Sequence, residues 1–236
     1  MTTHLYHEDS YLKRFEAQIT AASELGVALD QTAFYPGGGG QPYDQGVLQS
    51  GADTYRVERM KRADGEIWHV VEEHALEVGF QVTGEIDWER RYQLMRVHTA
   101  MHILCGVIWR DYSVSVTGGN MEPLRGRMDF EFESLTKDLV AEIEEKINVE
   151  VEAGRPINTK ILPRDEAFEI PDLIRTKINL LPPAIQEVRV VEIEGLDLQA
   201  DGGTHVANTQ EVGGLHIVDY KSKGAMNKRL VVELEA

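Results

Sequence analysis

The chain has 236 residues, 42% of them hydrophobic and 27% charged, and its 24 Lys and Arg stand against 40 Asp and Glu for a formal net charge of −16. This length and apolar content suit one large domain or two small ones, and the acidic balance excludes a generally basic, non-specific nucleic-acid binder. No apolar run approaches the roughly 20 residues of a membrane span, the opening MTTHLYHEDSYLKRFEAQ has no basic stretch leading into an apolar one, and the single Cys105 excludes an internal disulfide, so a cytoplasmic location is expected.

The first ninety residues divide into short β-prone runs, ITAASELGVALD, AFYP, YDQGVLQ, TYRVERMKR, EIWHVVEE and GFQVTGEID, separated by Gly, Asp and Pro turns. Such spacing predicts a small β-barrel or curled sheet. Within it, Gly37 to Gly40 form an uninterrupted glycine run. No Gly-Lys-Ser/Thr follows, so it is no phosphate loop of the NTPase type; a hairpin loop is the plain reading. After Trp88 to Arg90, RYQLMRVHTAMHILCGVIWRDY sets Leu94, Val97, Met101, Leu104 and Ile108 at alternating steps of three and four, which predicts an amphipathic helix. RGRMDFEFE alternates as a strand, and Leu135, Leu139, Val140, Ile143, Ile147 and Val151 predict a second helix, stopped by Gly154 and Pro156. The remainder, INTKILP, the apolar stretch DLIRTKINLLPP, VRVVEIEG, GLHIVDYKS and KRLVVELE, predicts strands around one short helix. The whole is expected to be α+β: residues 1–90 a β-barrel-like domain with the glycine-rich loop, and residues 91–236 an α+β domain with helices on one face of a sheet.

Metal chemistry comes from two spacings. His98 and His102 are one helical turn apart, so their imidazoles project together and can fill two corners of a tetrahedral zinc site. Asp201 and His205 are also four apart, but Gly202 and Gly203 between them indicate a turn rather than a helix. Three imidazoles and a carboxylate can therefore converge on one divalent cation between a helix and a sheet-edge turn. A buried helical histidine pair bonded to backbone is the alternative for His98 and His102 alone. Cys105 lies on the same helical face, either as a substitute ligand or as a small buried hydrophobe.

RVHTAMHIL, together with GLDLQADGGTHVANTQEVG and the glycine-rich stretch TAFYPGGGGQPYDQG, resembles the motifs of the alanyl-tRNA editing (AlaX) family and of the editing domain of alanyl-tRNA synthetase. The resemblance runs from about residue 30 to the end and implies hydrolysis of tRNA(Ala) mischarged with serine or glycine. It implies a metal site of His98, His102, Asp201 and His205 holding one zinc per chain. Asp201 stands where the family pattern usually has cysteine, and exchanging thiolate for carboxylate opens the site to other divalent metals. The metal either polarises the ester carbonyl or activates water, or it holds the substrate's amino group. Thr99 and Thr204, beside the histidines, are candidates to orient water, and Thr117, after a small gap, matches a threonine that meets the serine hydroxyl. The resemblance also implies that Gly38, Gly39, Gly40 and Gln41 form a substrate-binding loop beside the metal site, presenting backbone N–H groups.

Two basic clusters, Arg56, Arg59, Lys61 and Arg62, and Lys221, Lys223, Lys228 and Arg229, are either solvated loops or contacts to RNA phosphates. The chain is too short for an amino-acid activation domain, so the editing activity is expected to be freestanding. The rival readings are a metal-dependent hydrolase of a small ester or amide and a non-catalytic tRNA-binding remnant.

Overall fold

The computed structural model describes residues 2–176, 181, 183 and 185–236, and the chain divides into two compact units, Met1–Gln93 and Leu94–Ala236. The class is mixed α and β. Unit one contains β1 (Thr3–His4), α1 (Leu5–Glu8), β2 (Arg14–Ser23), β3 (Gly26–Leu29), β4 (Gln31–Thr32), β5 (Gly46–Ser50), β6 (Asp53–Val57), β7 (Arg59–Ala63), β8 (Glu66–Val70) and β9 (Gln81–Ile86). Seven of these strands form one sheet in the order β6-β5-β9-β2-β3-β8-β7, every neighbouring pair antiparallel. The ten-residue β2 serves both halves: Arg14–Gln18 pair with β9, and Ile19–Ser23 pair with β3. The two outermost strands, β6 and β7, are consecutive in the chain and separated only by Glu58. A sheet whose opposite edges are joined by one residue must curl, and the curl encloses Phe15, Ile19, Leu29, Phe34, Leu48 and Val82.

The run AFYP is not a strand. Ala33 to Tyr35 are buried but irregular, because Asp44 draws the chain into a loop: its carboxylate accepts from the Tyr35 N–H at 2.6 Å and pairs with the fully buried Arg91 guanidinium. The Tyr35 carbonyl in turn accepts from the Asp44 N–H at 2.9 Å. Further out, Gly38 and Gln41 exchange backbone hydrogen bonds of 3.1 and 2.9 Å, leaving Gly39 and Gly40 as the tip of a two-residue turn with φ of +57° and +91°. Both central residues of such a turn are left-handed, which glycine alone adopts at no cost. The glycine run is thus a hairpin tied at its base.

The division between the units falls inside α2 (Trp88–Tyr112). Unit two continues with β10 (Val116–Glu122), β11 (Arg125–Phe130), α3 (Lys137–Glu152), β12 (Ile157–Pro163), α4 (Arg164–Phe168), β13 (Glu187–Ile193), β14 (Asp197–Ala200), a 3-10 turn (Thr209–Val212), β15 (Leu215–Ser222) and β16 (Lys228–Leu234). Two antiparallel sheets result, β10-β11-β16-β15 and β12-β13-β14. The one short helix among the described residues of this stretch is α4, ahead of the apolar run 172–183, of which residues 177–180 and 182 lie outside the described set.

The predicted stripe on α2 is buried, but so is every residue from 97 to 108. The amphipathic expectation is corrected here, and the reason is that the helix is covered on more than one side. Met101 and Val97 sit against Gly126 of β11, where a Cβ would come within 2.5 Å of Met101 Sδ. Gly106 meets Leu196 and Asp197 at the start of β14, where a Cβ would lie 2.9 Å from the leucine side chain. A helix between two sheets needs apolar or fully partnered side chains all round. α3 follows its prediction: Thr136 caps it by accepting from the Leu139 N–H at 3.2 Å, and Gly154 ends it with φ +64°. Its side chains also close the exposed edge of β15, Asn148 bonding both backbone groups of Leu215 and Glu144 accepting from the Ile217 N–H.

Candidate metal and active site

The buried middle of α2 contributes His98, Thr99 and His102, and the turn after β14 contributes Asp201 and His205. The turn is shaped by its own residues. Asp201 Oδ2 accepts from the Gly203 N–H at 2.7 Å, folding the carboxylate back over the turn. On the neighbouring strand β13, the buried Arg189 donates to the carbonyls of Asp201 and Gly203 at 3.2 and 2.9 Å. These bonds fold the turn so that Asp201 and His205 offer ligand atoms to the same cluster.

One ligand atom from each of His98, His102, Asp201 and His205 can be chosen so that all four lie within 4.8 Å of one another. His98 Nε2 is 3.6 Å from Asp201 Oδ1, and His205 Nε2 is 3.1 Å from Asp201 Oδ2. Ligand atoms roughly 2.0–2.1 Å from a tetrahedral zinc are about 3.3 Å apart, so these two separations bracket the value a metal site requires.

Each histidine also spends its second nitrogen on a group behind it. His102 Nδ1 is 3.0 Å from Asp197 Oδ2, His205 Nδ1 is 3.1 Å from Thr99 Oγ1, and the His98 ring is bonded to the Thr204 backbone. For His102 and His205 this arrangement turns Nε2 toward the shared centre, as ligand histidines require. Burial, reinforced by His102 and Arg189, pushes the His98 pKa down to about 4, and burial with the neighbouring His98 holds His205 well below its usual range. Both rings are neutral at pH 7. His102 moves the other way: burial opposes its charge, but the hydrogen bond and charge of Asp197 outweigh it and raise the pKa. Burial also opposes ionisation of Asp201, yet the surrounding imidazoles, His98 first, hold it well below the carboxylate range, so it is an anion. Neutral His98 and His205 and an ionised Asp201 are in the protonation states in which such groups bind cations, and His102 joins them in its neutral form.

The remaining candidates have diverse places. Thr99 is fully buried; its hydroxyl accepts from the Val206 N–H at 3.3 Å and meets His205. Thr204 is also fully buried. Thr117 is exposed on β10 and donates to Asn227 Oδ1 at 3.0 Å. Cys105 stands outside the cluster of four: its Sγ accepts from Gln199 Nε2 at 3.4 Å, and burial together with Asp197 raises its pKa far above the usual thiol value. In the hairpin, the Gly38 N–H is consumed by Gln41, and the Gln41 side chain is buried, so only Gly39 and Gly40 occupy the turn tip. In the second basic cluster, Lys228 is turned onto the Gly224 and Ala225 carbonyls at 2.9 and 2.7 Å, and Arg229 grips Asp129 through two bonds of 2.6 and 2.7 Å.

Sequence reasoning missed Asp197, Gln199 and Arg189. A signal for the first two existed: Asp197, Gln199 and Asp201 alternate, so a strand running into the DGGTH turn directs all three to one face. No helix among the described residues is long and apolar enough to cross a membrane.

Residues 6–90 match the family described as tRNA synthetases class II (A), and residues 188–231 match the threonyl and alanyl tRNA synthetase second additional domain. The chain is 40% identical over 233 residues to the alanyl-tRNA editing protein AlaX-M of Saccharolobus solfataricus, covering 98% of each chain. It is 37% identical to the AlaX-M protein of Methanosarcina barkeri, with 99% of each covered. An alanine–tRNA ligase from Ignicoccus hospitalis is 41% identical over 223 residues, 92% of this chain but 24% of the ligase.

Proposed function

The chain belongs to the alanyl-tRNA editing family in its AlaX-M form, and from that premise we propose that it is a freestanding deacylase that hydrolyses the ester joining a wrong amino acid to tRNA(Ala). The observation that carries the reading is the convergence of His98, His102, Asp201 and His205 in a chain that matches the editing proteins from end to end. These four would hold one divalent metal, zinc being favoured by the three imidazoles and harder ions being admitted by the carboxylate. When bound, such an ion supplies Lewis acidity.

The chain's own residues do the rest. Thr99 holds the His205 ring, which makes it a positioning group more than a handler of water, and Thr204 does the same for His98 through its backbone. Serine is selected over alanine if a buried polar group in the pocket pairs with its hydroxyl, because alanine leaves that group unpaired; glycine enters by being smaller. Thr117, assigned to that contact by the family resemblance, is exposed and donates to Asn227, so it does not supply a buried group of this kind as it stands. Gly38, Gly39, Gly40 and Gln41 are assigned to substrate binding, with Gly39 and Gly40 presenting N–H groups and Gly38 and Gln41 closing the turn beneath them. We read the curled sheet of residues 1–90 as a small barrel carrying this hairpin, and residues 91–236 as the editing domain.

Contact with tRNA phosphates is assigned to Arg56, Arg59, Lys61 and Arg62, which are exposed on β6 and β7; the ion pair of Arg56 with Glu58 is solvent-exposed and contributes little. Lys221 and Lys223 complete the set, since Lys228 and Arg229 are committed within the fold. The test is deacylation of Ser-tRNA(Ala), Gly-tRNA(Ala) and Ala-tRNA(Ala) by metal-loaded protein. Loss of the seryl or glycyl ester with the alanyl ester largely intact is expected, and decay of all three at the uncatalysed rate contradicts the reading.

A further inference from the structure

His102 differs from its two companions in what stands behind it. A hydroxyl backs His205 and a backbone group backs His98, but His102 is backed by the side chain of Asp197, which is fully buried. Asp197 Oδ2 lies 3.0 Å from His102 Nδ1 and accepts from Gln199 Nε2 at 2.7 Å. Among the described residues its other oxygen has no hydrogen-bond partner and faces Arg175 Nε at 3.6 Å; Arg175 Nε and Nη1 likewise make no hydrogen bond among them, Nη1 lying 3.8 Å from Asp172 Oδ2. The Arg175 guanidinium lies over the Trp109 ring, 4.6 Å from its centroid.

An ion pair selected for stability alone would bring guanidinium and carboxylate into bidentate contact, since a buried carboxylate is costly unless its oxygens are satisfied. Here the well-made bonds of Asp197 go to His102 and Gln199, and Arg175 stands as a charge beside it, held by the Trp109 face and by the exposed Asp172 carboxylate. The spacing serves the histidine.

We propose that Asp197 is a positioning residue of the editing site: by accepting the Nδ1 proton it fixes His102 in the form whose Nε2 lone pair faces His98, Asp201 and His205, and Arg175 on Trp109 supplies the countercharge that keeps the carboxylate in that role. This rests on the metal reading above. A ligand histidine freed from such a carboxylate can rotate and change tautomer, and loss of the supporting group typically weakens metal binding about 10–100-fold.

The experiment uses the full chain stripped of metal. Nitrogen-15 NMR of the histidine rings at pH 8 reads the tautomer of His102, and titration with Co2+, followed by its visible spectrum, reads affinity and ligand geometry. The wild type should show His102 protonated at Nδ1. Asp197→Asn should retain the fold by circular dichroism, bind Co2+ about 10–100-fold more weakly with a changed visible spectrum, and show mixed His102 tautomers; Arg175→Gln should move the same readouts in the same direction by less. A wild-type His102 protonated at Nε2, or an Asp197→Asn protein with unchanged Co2+ affinity and spectrum, overturns the proposal. If Asp197→Asn does not fold, the wild-type tautomer still decides. A wild type that binds no Co2+ sinks the metal reading instead, which is a separate result.

Discussion

Two buried histidine environments, one in each unit, contrast a structural imidazole with imidazoles placed to hold a metal. In the curled sheet of unit one, His69 is wholly buried, and both its nitrogens are used inside the core: Nε2 meets Thr32 Oγ1 at 2.8 Å and Nδ1 meets the Val27 carbonyl at 3.3 Å. In unit two, His102 and His205 each spend Nδ1 on a supporting group and turn Nε2 toward a centre they share with His98 and an anionic Asp201. Burial is similar in both places, and burial depresses the His69 pKa to about 4 just as it does for His98. A perturbed pKa therefore does not identify the site. Convergence does: ligand atoms of His98, His102, Asp201 and His205 lie within 4.8 Å of one another, whereas His69 meets only a hydroxyl and a backbone carbonyl among the described residues.

The comparison can be broken most severely by deleting one histidine of each kind. His98→Ala and His205→Ala should each abolish bound metal and lower deacylation by more than about 1,000-fold, since several kcal/mol of charge stabilisation are lost with the ion. His69→Ala should leave metal stoichiometry unchanged and instead lower stability by about 3 kcal/mol, through its cavity and the polar partners left behind. Elemental analysis and urea unfolding on the purified variants separate the two. Metal loss in His69→Ala, or retention in His205→Ala, would erase the distinction.

A pH experiment sharpens the structural side. The folded pKa of His69 is depressed from 6.5 to about 4, so between those values the unfolded chain binds the proton and the native state does not. Stability from this group is intact above pH 6.5 and falls as pH drops toward 4, by about 3 kcal/mol in all. His69→Gln carries no titrating group there, so the stability gap between wild type and variant should shift by that amount from pH 7 to pH 4. A gap that stays constant contradicts the burial account.

The ligand side is sharpened by Asp201. Asp201→Ala should weaken metal binding by more than about 100-fold, beyond the loss typical of a supporting group, whereas Asp201→Cys should tighten zinc relative to manganese, because thiolate is softer than carboxylate. Competitive titration reads both, and unchanged zinc affinity in Asp201→Ala excludes direct ligation. The smallest effect is expected for Cys105→Ser. Its sulfur only accepts a weak bond from Gln199, so metal affinity should change by less than about threefold. A large loss would mean that the helix thiol is a ligand after all.

Much of this was legible in the sequence for identifiable reasons. Helical spacing predicts that His98 and His102 project together, and the glycines of DGGTH predict the turn that brings Asp201 and His205 round, because both are local rules of backbone geometry. The strand β11 follows from alternation in the same way, and β12, β13, β15 and β16 fall on the runs INTKILP, VRVVEIEG, GLHIVDYKS and KRLVVELE. The full burial of α2 was not legible, since it depends on Gly126 and Gly106 admitting the helix against two sheets, and such contacts join residues far apart in the chain. Nor was the role of Asp197. Its alternation with Gln199 and Asp201 is present in the sequence, but only the close approach at Gly106 shows that this strand faces the histidines. The irregular path of Ala33 to Tyr35 was hidden likewise, because a buried carboxylate at Asp44 overrides local β propensity.

The central claim is that the four-residue cluster holds the metal on which editing depends. Its most direct test is to strip the protein with chelator, restore zinc in measured steps, and follow Ser-tRNA(Ala) deacylation against bound metal, with Ala-tRNA(Ala) as control. The account predicts negligible activity in the stripped protein, recovery in proportion to bound metal, and saturation at one ion per chain. Full activity in stripped protein that elemental analysis shows to be free of metal would contradict it.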